Sequence, residues 1–219
     1  MRNIVIWLIR FLTRIVKFKS VKQMWTDRYA DPDPGKLAWY TNEIDNEVKL
    51  AIEKYCPRGG KALDIGTGPG TMAKELAKAG YQVTAVDIAE PAIEMAKRLT
   101  QDYSDSIEFR VDNIIETGLT GKYNVAHDRG CFHVFAGNKR GLYVENVYNL
   151  LEENGILLLK TFSKKQAGLY GPTRYNIEEL TRLFDGRFEL LHWEESTYPG
   201  TADFEPKAIF CVFKKKSND

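Results

Sequence analysis

Beyond residue 60, short apolar runs alternate with stretches whose apolar residues recur at helical spacing. The runs predict strands at residues 61–65, 81–86, 107–111, 123–127 and 155–162. Between them the helical period predicts helices at 71–79, 91–100 and 140–152. Pro91 falls in the first turn of its helix, where a missing N–H removes no bond. Asn176 and Glu179 are spaced as a capping box that opens a helix to Phe184. Strands at 188–193 and 208–213 close the chain with no crossover helix between them. They are expected to pair as an antiparallel hairpin at the sheet edge. Strands alternating with helices imply an α/β protein, a mostly parallel seven-stranded sheet with helices on both faces.

Upstream, a helix is predicted over residues 42–55, ended by Pro57-Arg58-Gly59-Gly60. Asp31-Pro32-Asp33-Pro34-Gly35 is a clear break. It divides an N-terminal helical segment, residues 1–35, from a main domain, residues 36–219. Between Ile4 and Val21 apolar residues dominate, and Arg10, Arg14 and Lys17 share one stripe of a helix. A basic stripe under a wide apolar face suits a helix lying on a membrane surface. It equally suits a flap packed over the protein's own body, or a contact with a second subunit. The uninterrupted apolar run stops at Arg10, too short to span a bilayer, and no signal-peptide cleavage pattern follows.

Composition narrows the partners. The 219 residues carry 31 basic and 30 acidic side chains, a net charge of +1, which gives nucleic acid no electrostatic footing. Cys56, Cys131 and Cys211 are widely spaced, odd in number and without metal-ligand spacing. They imply a reducing, cytoplasmic setting and no metal site.

The sharpest chemistry follows the first strand, in Leu63-Asp64-Ile65-Gly66-Thr67-Gly68-Pro69-Gly70-Thr71. Glycines let the backbone adopt positive φ and approach a ligand closely, and the helix that follows offers free N–H groups. A dinucleotide site would want glycine at position 71, where Thr71 stands, and a pyrophosphate would not favour the Asp64 carboxylate nearby. Two more strands end in acids, at Val86-Asp87-Ile88 and Val111-Asp112-Asn113. Strand ends of this kind are where open α/β sheets bind ligands.

Asp64-x-Gly66-x-Gly68-x-Gly70 resembles the first motif of class I S-adenosylmethionine-dependent methyltransferases, and the likeness extends over residues 60–130. It implies a Rossmann-like fold and S-adenosylmethionine as cofactor. Asp64 would then lie near the amino-acid end of the cofactor, with Gly66, Thr67, Gly68 and Gly70 along its methionine part. Asp87 would accept both ribose hydroxyls, Ile88 would pack on the adenine face, and Asp112 beside Asn113 would meet the adenine amine. Asp128, at the end of the fourth strand, would sit where the methyl is transferred.

Asp128-Arg129-Gly130, with Trp25-x-x-x-Tyr29 upstream, resembles the thiopurine and tellurite-type branch of small-molecule methyltransferases. That likeness points to a thiol or another chalcogen as acceptor. A thiolate needs little help from a base, because thiols titrate near ~8.5. Asp128, Arg129 and His133 are the candidates to steer or deprotonate it, with Arg129 assigned to an acidic substrate group or the thiolate. Residues 164–175 form a lid, an acceptor wall or a surface loop, and Trp39, Tyr40, Tyr170 and Tyr175 are candidates for an apolar pocket. His127 and His192 receive no role. The competing readings are an O- or N-methyltransferase of a small metabolite, a dehydrogenase and a non-catalytic scaffold. Oligomeric state stays open.

Overall fold

The structure is a computed structural model that describes residues 19–168 and 171–217. Seven strands form one sheet in the order β3-β2-β1-β4-β5-β7-β6. In chain order they are β1 (Gly60–Ile65), β2 (Tyr81–Asp87), β3 (Ile107–Val111), β4 (Tyr123–Arg129), β5 (Leu151–Phe162), β6 (Phe188–Thr197) and β7 (Lys207–Lys215). β1 to β5 run parallel. β7 pairs antiparallel with both β5 and β6, so the closing pair forms the antiparallel edge expected of it.

The helices are α1 (Val21–Arg28), α2 (Asn46–Tyr55), α3 (Thr71–Lys78), α4 (Glu90–Leu99), α5 (Lys139–Leu150) and α6 (Ile177–Phe184). α2 and α3 bury Val48, Ala51, Met72 and Leu76 against one sheet face, on Val83, Val125, Leu158 and Phe210. α5 and α6 bury Tyr143, Val147, Leu180 and Phe184 against the other, on Leu63, Leu157, Leu159 and Phe213. The central strands are apolar on both sides, as a parallel sheet covered on both faces requires. α6 carries the full Asn176–Glu179 capping box.

Several boundaries differ from the expected ones. α2 begins at Asn46, four residues later than residue 42, because Asp45 is drawn into a buried ion cluster described below. α5 ends at Leu150 and β5 starts at Leu151, with a register shift against β4 that absorbs the polar residues 152–154. Near the N-terminus, Ser20 is extended and its hydroxyl accepts the Gln23 N–H at 3.1 Å. That cap starts a helix at Val21. Residues 4–18 lie outside the described residues. Among the described residues, no helix is long and apolar enough to cross a membrane.

Candidate active site

The glycine loop joins β1 to α3 at the carboxyl end of the sheet. Gly66, Gly68 and Gly70 have φ of 69°, 50° and 82°, a region that side-chain-bearing residues rarely adopt. The Thr67 N–H donates to the Val86 carbonyl at 2.9 Å, which ties the loop to β2. Asp64 is buried beneath it. One carboxylate oxygen accepts from Thr67 Oγ1 at 2.6 Å, and the other faces His127 Nδ1 at 2.9 Å. His127, given no role above, is therefore Asp64's partner. Asp64 and His127 are directly paired across β1 and β4, and that register was the missing information.

At the end of β2, Asp87 accepts the Gly68 N–H at 3.1 Å and the Ala89 N–H at 2.9 Å. Burial pushes its carboxyl up to about 6, against the pull of those two N–H groups. Ile88 beside it is half-buried. Asp112, after β3, accepts the Gly118 N–H at 3.0 Å through one oxygen. Its other oxygen is buried with no hydrogen-bond partner among the described residues. Asn113 turns inward to cap the short helical turn Ile114–Glu116, accepting from the Ile115 N–H at 3.3 Å. It is thereby engaged with its own turn rather than free for the adenine.

These groups fit S-adenosylmethionine. The three positive-φ glycines leave positions 66, 68 and 70 of the loop without side chains. Asp87 holds lone pairs beyond its two backbone bonds, and Asp112 keeps an unused acceptor.

Above the loop lies an aromatic roof. Tyr29 is buried and so close to Gly68 that a Cβ there would meet its Oη at 2.7 Å. Trp39 Nε1 donates to Tyr29 Oη at 3.3 Å, and the ring centroids of Trp25 and Tyr29 lie 5.7 and 6.0 Å from that of Trp39. Tyr40 packs on the same cluster, which rests on Ala89, Ala92 and Met95 around α4. Thus Trp39, expected at an acceptor pocket, stands with Tyr29 beside the glycine loop, and Tyr40 packs on the same cluster.

The end of β4 departs most from expectation. Asp128 is fully buried, and its carboxylate accepts from the Cys131 N–H at 2.7 Å, the Phe132 N–H at 2.9 Å and Tyr143 Oη at 2.7 Å. Burial raises its carboxyl to about 6, and the Tyr143 hydroxyl works against that rise. It shapes the turn after β4 and is spoken for as a base. Arg129 is likewise engaged: Nε donates to Asp45 at 2.9 Å, Nη1 to the Trp39 carbonyl at 3.2 Å and Nη2 to the Pro199 carbonyl at 2.8 Å. The substrate-anchoring role expected of Arg129 meets a guanidinium already committed to protein partners.

His133 is buried beside Phe162, at a centroid distance of 4.6 Å, and Tyr198, at 6.0 Å. Its Nδ1 has no hydrogen-bond partner among the described residues. Burial lowers its imidazole to about 3, so it is neutral and an acceptor at physiological pH. Cys131 lies against Gly66, and burial pushes its thiol well up, as a packing role requires.

Residues 164–175 are pinned at both ends, Lys164 N–H to the Tyr175 carbonyl at 2.8 Å and Tyr175 N–H to the Phe162 carbonyl at 2.9 Å. Tyr175 turns into the core and stacks on Phe132 at 5.4 Å, which removes it from the expected pocket wall. Tyr170 lies outside the described residues.

Four residues went unnoticed in the sequence: Asp45, Glu47, Lys160 and Tyr198. Lys160 is 1% exposed and donates to Asp45 at 2.5 Å and Glu47 at 2.7 Å. The Tyr198 ring lies beneath both cations, 5.1 Å from Arg129 and 5.4 Å from Lys160. Burial pushes the Asp45 carboxyl up, but Arg129 and Lys160 outweigh it and hold Asp45 below the usual range. A lysine inside the most apolar strand was the available signal, since a buried ammonium demands a carboxylate partner.

Residues 38–202 match the family model of a methyltransferase domain. EEF1A lysine methyltransferase 2 of Homo sapiens is 28% identical over 170 residues, covering 73% of this chain and 66% of that protein. The chain spans 55 to 66% of the length of that protein and two other curated relatives. A structure from work on the conversion of a disulfide bond into a thioacetal group during echinomycin biosynthesis superposes with a TM-score of 0.76. The two chains are 19% identical, over 91% of this chain and 94% of that one. The 1,6-didemethyltoxoflavin-N1-methyltransferase of Burkholderia thailandensis was solved with 1,6-didemethyltoxoflavin and S-adenosylhomocysteine bound. It gives a TM-score of 0.69 at 20% identity, over 90% and 88% of the two chains. At these identities both structural likenesses concern the fold.

Proposed function

The chain belongs to the methyltransferase-domain family, with S-adenosylmethionine as its methyl donor, and we propose that it methylates a small molecule at sulfur or another chalcogen. When bound, S-adenosylmethionine supplies a methyl group already activated by a sulfonium. The chain's own tasks are then to hold the cofactor, exclude water and orient the acceptor in line. In this reading Asp87 accepts the ribose hydroxyls, Asp112 meets the adenine amine, and the glycine loop follows the methionine part. Tyr29 and Trp39 cover the loop against water.

The observation that carries the sulfur reading is the weakness of the bases at the end of β4. His133 is held to about 3 by burial, and Asp128 has its oxygens filled by two N–H groups and Tyr143. A lysine ammonium, near ~10.4, would need a much stronger base than either, and a thiol near ~8.5 ionises in water unaided. O- or N-methylation of a small metabolite is the alternative, and lysine methylation is the activity named for the human relative.

The test is the pH dependence of methyl transfer across thiols of graded acidity. Under this reading kcat/KM rises with pH to a plateau at each thiol's own pKa, so the break moves with the substrate. A break fixed at one pH for every thiol would reveal a base in the protein and end the argument from weak bases.

Peripheral membrane contact through residues 4–21 rests on the sequence pattern alone. Liposome flotation of the full chain against one beginning at Lys19 tests it, and equal behaviour of the two would remove it.

A further inference from the structure

Two cations and two carboxylates form one cluster, with Asp45 and Lys160 buried and Arg129 and Glu47 partly buried, and the chemistry proposed above uses none of them. Asp45 stands at their centre, sharing one carboxylate oxygen between Arg129 Nε at 2.9 Å and Lys160 Nζ at 2.5 Å. Glu47 takes the second bond of Lys160 at 2.7 Å and is itself met by the Ser196 hydroxyl. Burying charges in this way is costly, and removing one partner from such a group is strongly destabilising. A cluster of this kind is thus weakly explained by stability alone.

What the cluster does is join segments. Arg129 ends β4, Lys160 lies near the end of β5, Tyr198 follows β6, and Asp45 precedes α2. Through Arg129, Asp45 also grips the carbonyl of Trp39. The segment 37–39 is clasped a second time by the β6–β7 connection. There Thr201 donates its N–H to the Ala38 carbonyl at 3.2 Å and its hydroxyl to the Leu37 carbonyl at 2.9 Å. Gly200 sits so near Ala38 that a Cβ would fall 2.1 Å from its carbonyl oxygen. From Trp39 the contacts continue through its Nε1 to Tyr29, and from Tyr29 to Gly68.

We propose that Asp45 is a positioning residue for the cofactor site: by fixing Arg129 it fixes the Trp39 backbone, and so holds the Tyr29–Trp39 roof over the glycine loop. Asp45 touches neither cofactor nor acceptor in this scheme. It acts through Arg129, which explains why that guanidinium points at two loop carbonyls instead of outward. The inference rests on the reading that the glycine loop holds S-adenosylmethionine.

The experiment pairs calorimetric titration with S-adenosylhomocysteine and hydrogen exchange of the full-length protein, for wild type, Asp45→Asn and Arg129→Lys. Asp45→Asn keeps the shape and removes the charge. Arg129→Lys keeps the charge and sheds the fork that spans Asp45 and both carbonyls. The expected result is an affinity roughly tenfold weaker in each variant, with faster exchange confined to residues 25–40. Unchanged affinity, or faster exchange spread over α5 and α6 as well, would mark the cluster as merely structural and overturn the proposal. If wild type itself fails to bind S-adenosylhomocysteine, the cofactor reading falls. The exchange data then decide the positioning role of Asp45 alone: faster exchange at 25–40 supports it and unchanged exchange there ends it. Should Asp45→Asn fail to fold, Arg129→Lys carries the same comparison.

Discussion

Cofactor affinity should fall in mild acid, and Asp87 is the reason. Burial raises its carboxyl to about 6 in the free protein, despite the N–H groups of Gly68 and Ala89. Ribose hydroxyls donating to that carboxylate favour its charged form, so the bound protein must have a lower Asp87 pKa than the free one. The sign follows directly: binding releases a proton below pH 6, and affinity climbs as pH rises through about 6 and then levels. One pH unit below the free-state pKa only about a tenth of Asp87 is ionised, which weakens binding roughly tenfold, or about 1.4 kcal/mol. Titration calorimetry with S-adenosylhomocysteine between pH 5 and 8, in buffers of differing ionisation enthalpy, measures both affinity and proton release. Asp87→Asn should bind weakly and with no pH dependence in that window. A wild-type affinity that is flat from pH 5 to 8, or an Asp87→Asn variant that keeps the slope, would refute the assignment.

Other consequences concern stability. Gly70→Ala forces a side chain into φ of 82° with its Cβ 3.0 Å from that of Ala96, and should lower unfolding free energy by roughly 2–4 kcal/mol in urea. Asn176→Ala removes the cap of α6 and should cost about 1 kcal/mol with the methyl-transfer rate intact in the folded protein. Asp128, raised to about 6, contributes stability that is complete below its unfolded pKa near 4 and lost as pH rises through 6. Wild type should therefore lose ground to Asp128→Asn as pH goes from 4 to 7, by roughly 3 kcal/mol at most. A difference independent of pH in parallel urea melts would contradict that burial argument.

The parallel sheet and its edge were legible because they rest on local signals. Apolar runs, the glycine loop and the Asn176–Glu179 cap each declare themselves within a few residues. The acids Asp64, Asp87 and Asp112 declare themselves for a related reason, since each stands at or beside a strand end. What escaped was decided by register and by long-range charge pairing. Asp64 and His127 are 63 residues apart and meet because β1 and β4 are neighbours. Lys160 and Asp45 are 115 residues apart, and nothing local to either announces the other. The carboxylate partner of Arg129 is hidden for the same cause, because Asp45 falls in a segment whose pattern predicts a helix. Asp128 looks available for chemistry in the sequence, but the turn after β4 brings the Cys131 and Phe132 N–H groups, and α5 brings Tyr143, onto its oxygens.

Methyl transfer to sulfur is decided by a competition among acceptors. Purified protein is given methyl-labelled S-adenosylmethionine with an aliphatic thiol, a phenol, a primary amine and a lysine peptide together, and the products are identified by mass spectrometry. Label is expected in the thioether above all, with the transfer lost in Asp87→Asn. Label in the amine or the lysine peptide, with the thiol untouched, would contradict it.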